Sequence, residues 1–386
     1  MLNFEYYNPV KIIFGKDTIA KLAEEIPQDE KIMLLYGGGS IFKNGVHQQV
    51  THALKDHQIV EFGGIEPNPH YETCMRAVDQ IRESGTTFLL AVGGGSVVDA
   101  TKFISAAACY PSEKDPWEFM EGPTEKVERA LPIATVITLP ATGSEMNCNA
   151  VITRHETCEK RFFGNPNVYP KFSILDPQVT FSLPDRQTAN GIVDAFIHVA
   201  EQYMTFPVNA PLQDRQAEAV LATLIEEAPK VMDNPDDYDA RANIMWAASH
   251  ALNFIICCGV PQDWTAHMIG HEITAEYGID HARTLALVAP AIWRHEKARK
   301  HDKLLQFAER IWKITEGPDD QRIEQAITYT EKFFNSLGVA TRQDGYNLPG
   351  DFEEVITQRV GKLGFKMGEH ADIGQPEAER ILAMTK

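Results

Sequence analysis

Two short glycine runs, each placed between an apolar run and a helical pattern, constrain the fold of this chain most strongly. The apolar runs KIMLLY (31–36) and TTFLLAV (86–92) are each followed at once by GGGS, at residues 37–40 and 93–96. Two further apolar runs follow, IATVITL and FSIL, and the segment YETCMRAVDQIRESG between the glycine runs has the spacing of an amphipathic helix. Strands that alternate with helices predict a parallel sheet covered by helices on both faces.

The second half of the chain has a different pattern. From about residue 185 glycine becomes rare, and helical segments such as TANGIVDAFIHVAEQYM and LQDRQAEAVLATLIEEAPKVM follow one another. We therefore predict an α/β domain with a Rossmann-like parallel sheet over residues 1–183 and an all-helical domain over residues 184–386. Two domains also agree with the length of 386 residues.

The charge and the apolar pattern exclude several classes of partner. A formal net charge of −18 argues against binding to nucleic acid or to anionic membranes. The opening MLNFEYYNPVKIIFG does not have the pattern of a secretory signal, and the apolar runs are shorter than a bilayer requires.

The six cysteines have no C-x-x-C spacing, which favours reduced thiols, and the adjacent Cys257 and Cys258 have no assigned role. We expect a cytoplasmic protein.

The glycine runs predict phosphate binding at the ends of two strands. Residues without a Cβ atom let the backbone approach a phosphate closely, and the following helix N-terminus offers free N–H groups. Neither run is a G-x-G-x-x-G fingerprint or a Walker loop. Asp99 is either an acidic residue that the helix dipole favours in the first turn or a hydrogen-bond acceptor for a nicotinamide or ribose group. The stretch ATGSEMN (141–147), taken alone, is an ordinary loop.

Several potential metal ligands lie in the helical half. Asp194 and His198 are four residues apart on one helical face, and His267, His271 and His281 fall within fifteen residues. The three histidines are ligands of one ion, a ligand beside an acid–base group, or unrelated polar residues. One carboxylate with three neutral imidazoles suits Zn²⁺ or Fe²⁺ better than Ca²⁺ or Mg²⁺. HMIGHE is not H-E-x-x-H, so a metalloprotease would lack its general base.

These segments together resemble one enzyme family. GVPQDWTAHMIGHEITAEYGIDHARTLALVAP resembles the metal-binding signature of the iron-containing, or group III, alcohol dehydrogenases. LLAVGGGSVVDATKFI and TLPATGSEMN resemble the cofactor motifs of that family. The resemblance extends through essentially the whole chain, and the opening YYNPVKIIFGKDTI is most similar to the branch of NADPH-dependent aldehyde reductases and butanol dehydrogenases.

The resemblance implies roles for individual residues. By this resemblance, the metal ligands are Asp194, His198, His267 and His281. His271 would be a proton relay rather than a ligand. The cofactor contacts that it implies are Gly37, Gly38, Gly39, Ser40, Gly94, Gly95, Ser96, Asp99, Thr138, Thr142, Ser144, Asn147 and Lys160.

The resemblance also implies a reaction and a cofactor. Many members that use NAD carry an acid after the first strand, whereas residues 37–40 contain none and Lys43 lies nearby, so we expect NADP(H). The implied activity is hydride transfer from NADPH to a metal-bound carbonyl of a small aliphatic aldehyde, by a homodimer with bound Zn²⁺ or Fe²⁺. The alternatives are a dehydroquinate-synthase-like or glycerol-dehydrogenase-like metalloenzyme and a non-catalytic nucleotide-binding scaffold. The preferred aldehyde and the choice of metal stay open.

Overall fold

The computed structural model describes residues 1–122 and 126–386. Its strands are β1 (Lys11–Phe14), β2 (Lys31–Tyr36), β3 (Gln58–Phe62), β4 (Phe88–Gly94), β5 (Ile133–Leu139), β6 (Asn149–Arg154), β7 (Glu159–Gly164) and β8 (Phe172–Leu175). Its first helices are α1 (Leu22–Glu25), α2 (Ser40–Lys43), α3 (Val46–Ala53), α4 (Tyr71–Ser84), α5 (Gly95–Ala108) and α6 (Glu118–Glu121). The later helices are α7 (Asp185–Tyr203), α8 (Pro211–Asp233), α9 (Tyr238–Ala251), α10 (Thr265–Tyr277), α11 (His281–His295), α12 (His301–Arg310), α13 (Asp319–Ser336), α14 (Phe352–Gly361) and α15 (Gln375–Ala383).

Six strands form one parallel sheet in the order β1-β8-β5-β4-β2-β3. The four apolar runs in the sequence are the strands β2, β4, β5 and β8, so the predicted parallel sheet is confirmed. The edge strands β1 and β3 were not predicted, because their residues are only partly buried and their apolar runs are short. The antiparallel hairpin of β6 and β7 was also missed, since its strands carry several charged residues.

Helices cover both faces of this sheet. Alternate side chains of β2 enter different cores, with Met33 and Leu35 on one face and Ile32 and Leu34 on the other. Buried residues of α4 and α5 pack into the first core, and those of α1 and α3 pack into the second. Both faces are therefore apolar, as a parallel sheet requires.

The helical part is built around α7. Its side chains are buried from Thr188 to Tyr203 without interruption, and it packs against α8, α10 and α11. Helices α10 and α11 approach closely at Gly270, where an added Cβ atom would lie 2.8 Å from Oγ1 of Thr284. The helical character predicted for this half of the chain is confirmed. Among the described residues, no helix is both long and apolar enough to cross a membrane.

The chain divides into two compact units. The sheet unit comprises Tyr7–Leu183 and Pro235–Met245, and the helical unit comprises Met1–Tyr6, Pro184–Asn234 and Trp246–Lys386. This division differs from the predicted ranges in two short segments. The first residues join the helical unit, where the backbone N–H of Leu2 donates to the carbonyl of Gly259 at 2.9 Å. Met245 is fully buried in a core of the sheet unit.

Candidate functional site

The helical unit brings together the four side chains that the sequence predicts as metal ligands. Asp194 and His198 lie one turn apart on α7, His267 lies on α10, and His281 is the first residue of α11. Ligand atoms of Asp194, His267 and His281 all lie within 4.8 Å of one another. The Nε2 atom of His198 lies 3.1 Å from Nε2 of His267. Three helices therefore direct two buried imidazoles, a partly buried imidazole and a buried carboxylate to one point.

Hydrogen bonds at Nδ1 of two of these imidazoles show how each ring is held. Nδ1 of His198 is 2.8 Å from the backbone carbonyl of Asp194, which can only accept, so Nδ1 carries the proton. Nδ1 of His267 is hydrogen-bonded to Oε2 of Glu201. In His198 Nε2 is then the unprotonated nitrogen, and it faces Nε2 of His267 at 3.1 Å. Burial lowers the pKa of His198, which keeps its ring neutral at neutral pH.

The unprotonated Nε2 atom of a neutral imidazole, as in His198, can bind a metal ion. The buried Oδ1 atom of Asp194 also accepts no hydrogen bond from the described residues. Imidazole nitrogens and a carboxylate oxygen are the donors that Zn²⁺ and Fe²⁺ take in proteins. The four side chains therefore fit a divalent ion by the chemistry of their donor atoms.

Glu201 holds His267 in place and was missed in the sequence. Its Oε1 atom accepts the backbone N–H of Ala266 at 2.5 Å, and its Oε2 atom accepts from the backbone and the ring of His267. A carboxylate on the outer nitrogen fixes the tautomer of a ligating histidine and makes the ring more basic. The signal was present in the sequence, because Asp194, His198 and Glu201 are spaced i, i+4 and i+7 on one helical face.

A buried ion-pair network lies behind Glu201. The Lys300 ammonium donates to Asp263 and to Glu369 at 2.7 Å each and to the carbonyl of Met204 at 2.6 Å. Burial and the charge of Asp263 raise the pKa of the Glu201 carboxyl to about 8, and the N–H donors at the start of α10 oppose that rise. A divalent ion on the other side of His267 would oppose that rise and favour the ionised form of Glu201.

His271 lies beside the predicted ligands. It is one turn after His267 on α10, and its ring centroid is 4.9 Å from that of His281 and 6.3 Å from that of His267. The three residues whose ligand atoms converge are Asp194, His267 and His281, without His271. The position of His271 is the one expected of a proton relay, a role that stays a prediction.

In the sheet unit, the second GGGS run joins β4 directly to α5. The strand ends at Gly94 and the helix begins at Gly95. A Cβ atom on Gly93 would lie 2.5 Å from the Val97 side chain, and one on Gly95 would lie 2.5 Å from Oγ1 of Thr142, so neither position has room for a side chain. No side chain caps the N-terminus of this 14-residue helix at Gly94. A close backbone approach and an uncapped helix N-terminus suit an anion such as a pyrophosphate.

The first GGGS run follows β2 and leads into the short helix α2. Gly39 has φ +89°, a conformation that L side chains rarely adopt. Gly38 does not have a positive φ, and a Cβ atom there would meet nothing within 4 Å. The run therefore leaves open space at residue 38, and Ser40 begins the helix.

The predicted contacts near the nicotinamide form one hydrogen-bond network. Ser144 donates from Oγ to Oδ1 of Asp99 at 2.6 Å, and Asn147 donates from Nδ2 to the carbonyl of Gly143 at 2.9 Å. Sequence reasoning missed Lys102, whose ammonium donates to both Ser144 and Asn147. The polar groups of Asp99, Ser144 and Asn147 are thus engaged by the protein itself, so their predicted direct contacts with a cofactor stay predictions.

The other predicted contacts lie on neighbouring elements of the sheet unit. Thr138 is near the end of β5, and Thr142 follows in the loop beside Gly95. Lys160 lies on β7, where its ammonium donates to Oδ1 of Asn68 at 2.9 Å. Burial raises the pKa of Asp99, and the positive charges of Lys102 and Lys160 oppose the rise.

Comparisons with known proteins agree with this geometry. A family model described as iron-containing alcohol dehydrogenase matches residues 9–177, and the model of the C-terminal domain of the Fe-containing alcohol dehydrogenase family matches residues 188–383. The NADPH-dependent aldehyde reductase YqhD of Escherichia coli K12 is 52% identical over 99% of both chains. The crystal structure of E. coli K-12 YqhD superposes with a TM-score of 0.98 at 51% identity, covering 100% of this chain and 99% of that one. A probable NADH-dependent butanol dehydrogenase 1 of Bacillus subtilis is 40% identical over 99% of both chains.

Proposed function

The chain belongs to the iron-containing alcohol dehydrogenase family, and we propose that it acts mainly as an NADPH-dependent reductase of small aliphatic aldehydes. The observation that carries this proposal is the convergence of Asp194, His198, His267 and His281, in which Nε2 of His198 lies 3.1 Å from Nε2 of His267. The chain is 52% identical to an NADPH-dependent aldehyde reductase over its full length. A dehydroquinate-synthase-like activity is not favoured, because both halves of the chain match the alcohol dehydrogenase models.

We propose that these four side chains hold one divalent ion, Zn²⁺ or Fe²⁺. The bound ion supplies a Lewis acid, which stabilises negative charge on a carbonyl oxygen during reduction. Glu201 orients His267 through Nδ1 and thereby directs its Nε2 atom to the site. The buried positions of Asp194, His198 and His267 exclude water from most of the surroundings.

We propose that the sheet unit binds NADP(H). The bound cofactor supplies the hydride from its nicotinamide ring. The uncapped start of α5 binds the pyrophosphate, and the run at 37–40 takes the adenosine half. The absence of a carboxylate from this run and the hydroxyl of Ser40 favour a 2′-phosphate. The 52% identity to an enzyme named for NADPH supports this choice over the 40% identity to one named for NADH.

We propose that His271 delivers the proton that the product oxygen requires. Reduction of an aldehyde by hydride leaves an oxygen that takes up a proton to become an alcohol. The His271 ring lies beside His281 and next to the converging ligand atoms. An imidazole changes its protonation near neutral pH, which suits this role.

We further propose that the enzyme is a homodimer in a reducing compartment such as the cytoplasm. None of the six cysteines, all within the described residues, forms a disulfide, and a reducing environment keeps thiols in this state. The strand β1 lies at the edge of the parallel sheet, and its last residue Phe14 is exposed, which suits burial against a second copy. Light scattering on the purified chain measures the oligomeric state directly.

Turnover assays on metal-depleted and reconstituted protein test the activity. The nicotinamide absorbance is followed with NADPH and butanal before chelation, after chelation, and after Zn²⁺ or Fe²⁺ is added back. We expect oxidation of NADPH that disappears with the metal and returns when the metal is restored. If metal-loaded protein oxidises no NADPH with any of a panel of small aldehydes, the proposed function is wrong.

A further inference from the structure

A buried lysine, Lys102, lies at the centre of the hydrogen bonds that shape the loop after β5. It is on α5, six residues after the second GGGS run, and its side chain is 0% exposed. Its Nζ atom donates to Oγ of Ser144 at 2.7 Å, to Oδ1 of Asn147 at 2.9 Å and to the carbonyl of Asn149 at 2.8 Å. An ammonium group has three N–H donors, so these acceptors use all of them.

The ammonium determines how its neighbours are oriented. Because it can only donate, Oγ of Ser144 must accept from it, and the one proton of Ser144 is left for Oδ1 of Asp99. Asn147 directs its oxygen to Lys102 and therefore its amide N–H to the carbonyl of Gly143. The second oxygen of Asp99 accepts the backbone N–H of Val151 at 3.0 Å. One cation thus fixes a hydroxyl, an amide and the start of β6 against α5.

An apolar residue would fill this position at a lower cost in solvation. Lysine is rarely fully buried, and the removal of an ammonium from water destabilises the fold unless other groups compensate. Burial lowers the pKa of Lys102 to about 8, while the nearby acidic groups of Asp99, Cys148 and Glu145 oppose the shift. A costly buried charge at the junction of two predicted cofactor segments indicates a role beyond packing.

We propose that Lys102 is a positioning residue that holds residues 142–149 against α5 in the conformation that receives the nicotinamide half of the cofactor. This inference rests on the proposed binding of NADP(H). Lys102 itself is enclosed by protein acceptors and acts through Ser144 and Asn147. Its loss should therefore weaken cofactor binding without removing a direct contact.

The test compares two buried lysines. Lys102→Met keeps the length of the side chain and removes the charge. Lys303→Met is the matched control, because Lys303 on α12 is 7% exposed and pairs with Asp214 in the helical unit. The dissociation constant of NADPH is measured by cofactor fluorescence on the purified full chain without aldehyde. Because hydrogen bonds to charged groups are the strong ones, we expect an increase of about tenfold or more in Lys102→Met and less than about twofold in Lys303→Met.

The pH dependence of binding separates positioning from stability alone. The Lys102 ammonium is present below its pKa of about 8 and is lost as the pH rises through that value. The NADPH dissociation constant of the wild-type chain should therefore increase between about pH 7 and pH 9. In Lys102→Met this step should disappear. If Lys102 only stabilises the fold, Lys102→Met should lower the unfolding temperature, and any rise of the NADPH dissociation constant with pH should be the same in the variant as in the wild type.

Three outcomes decide the question. The inference is overturned if folded Lys102→Met binds NADPH within about twofold of the wild type and keeps the pH step. If Lys102→Met does not fold, Asp99→Asn/Lys102→Met removes both buried charges, and its comparison with Asp99→Asn alone gives the same decision. A wild-type chain that binds no NADPH contradicts the proposed function and this role together, whereas normal wild-type binding with an unaffected variant contradicts only the role of Lys102.

Discussion

The imidazoles of His198 and His267 largely determine what the helical unit can bind. Each has its Nδ1 atom hydrogen-bonded to an oxygen, and their Nε2 atoms lie 3.1 Å apart. Burial lowers the pKa of His198 and so favours its neutral form, because a charged imidazole loses hydration there. Together with the carboxylate of Asp194, this pair offers donor atoms that suit a divalent cation, and the proposed chemistry builds on that fit.

The ligand assignment predicts a clear difference among alanine variants. His267→Ala and Asp194→Ala should abolish turnover and lower the bound metal, because an incomplete site loses affinity. His271→Ala should keep most of the metal and lose rate, since its ring lies beside the converging atoms. Metal analysis of each purified variant, beside its turnover, makes the measurement. If His271→Ala loses the metal while His281→Ala keeps it, the assignment is wrong.

Glu201 should set the metal affinity through His267. Glu201→Gln keeps the shape of the side chain and replaces one acceptor oxygen by a donor, so an N–H at the start of α10 loses its partner. We expect the affinity for Zn²⁺ to fall by about 10-fold to 100-fold, measured by competition with a chelating dye. Glu218→Gln is the control, since Glu218 is a buried carboxylate that bonds Tyr203 and Arg310. Equal affinity in Glu201→Gln and the wild type would contradict this role.

At this scale, the sequence predicts the residues that carry chemistry better than those that orient them. Asp194 and His198 are recognisable because helical spacing alone places them on one face. Lys102 has no comparable signal, and although Glu201 shares that helical face, the spacing does not identify its role. Their partners lie 42 and 66 residues away in the chain, and only the packed fold brings them together.

The two glycine runs have glycine for different structural reasons. The run at 93–96 is required by packing, since Val97 and Thr142 occupy the space that side chains would need. The run at 37–40 contains one position with a positive φ, Gly39, and one open position, Gly38. The open position is the better place to test cofactor choice, because an acid at Gly39 would add backbone strain to any effect of charge.

A carboxylate at residue 38 should change the cofactor preference. Gly38→Asp adds a charge that repels a 2′-phosphate and offers an acceptor to an unphosphorylated ribose. A charge clash in a partly desolvated site amounts to on the order of a few kcal/mol, so the preference should move by more than about tenfold towards NADH. The measurement is the ratio of kcat/KM for NADPH and NADH in the wild type, in Gly38→Asp and in the neutral control Gly38→Asn. A wild type that prefers NADH would contradict the choice of NADP(H), and an unchanged ratio would place residue 38 away from the ribose.

Among the elements, central strands are predictable and marginal ones are not. The strands β4 and β5 are buried on both faces, so their sequences are continuous apolar runs. The edge strand β3 and the hairpin of β6 and β7 alternate or mix polar residues, and their pairing depends on neighbours that the local sequence does not identify.

For the whole molecule, the main consequence of the fold is that the proposed metal site and the proposed cofactor site lie in different units. The proposed metal ligands all belong to the helical unit, and the proposed cofactor contacts all belong to the sheet unit. The change of pattern near residue 185 predicts two parts, because strand–helix alternation and continuous helix need different packing. The sequence does not predict that residues 1–6 belong to the helical unit and residues 235–245 to the sheet unit. That membership depends on contacts such as the hydrogen bond between Leu2 and Gly259.

Transfer of a labelled hydride tests the central claim most directly. Metal-loaded protein is incubated with butanal and NADPH that carries deuterium on the transferred position of nicotinamide C4, and the butanol is examined by mass spectrometry. The account predicts one deuterium at C1 of the alcohol from the wild-type chain, and no such product from Asp194→Ala. Alcohol without deuterium, or no alcohol from metal-loaded wild-type protein, would contradict the proposed reduction of aldehydes by NADPH.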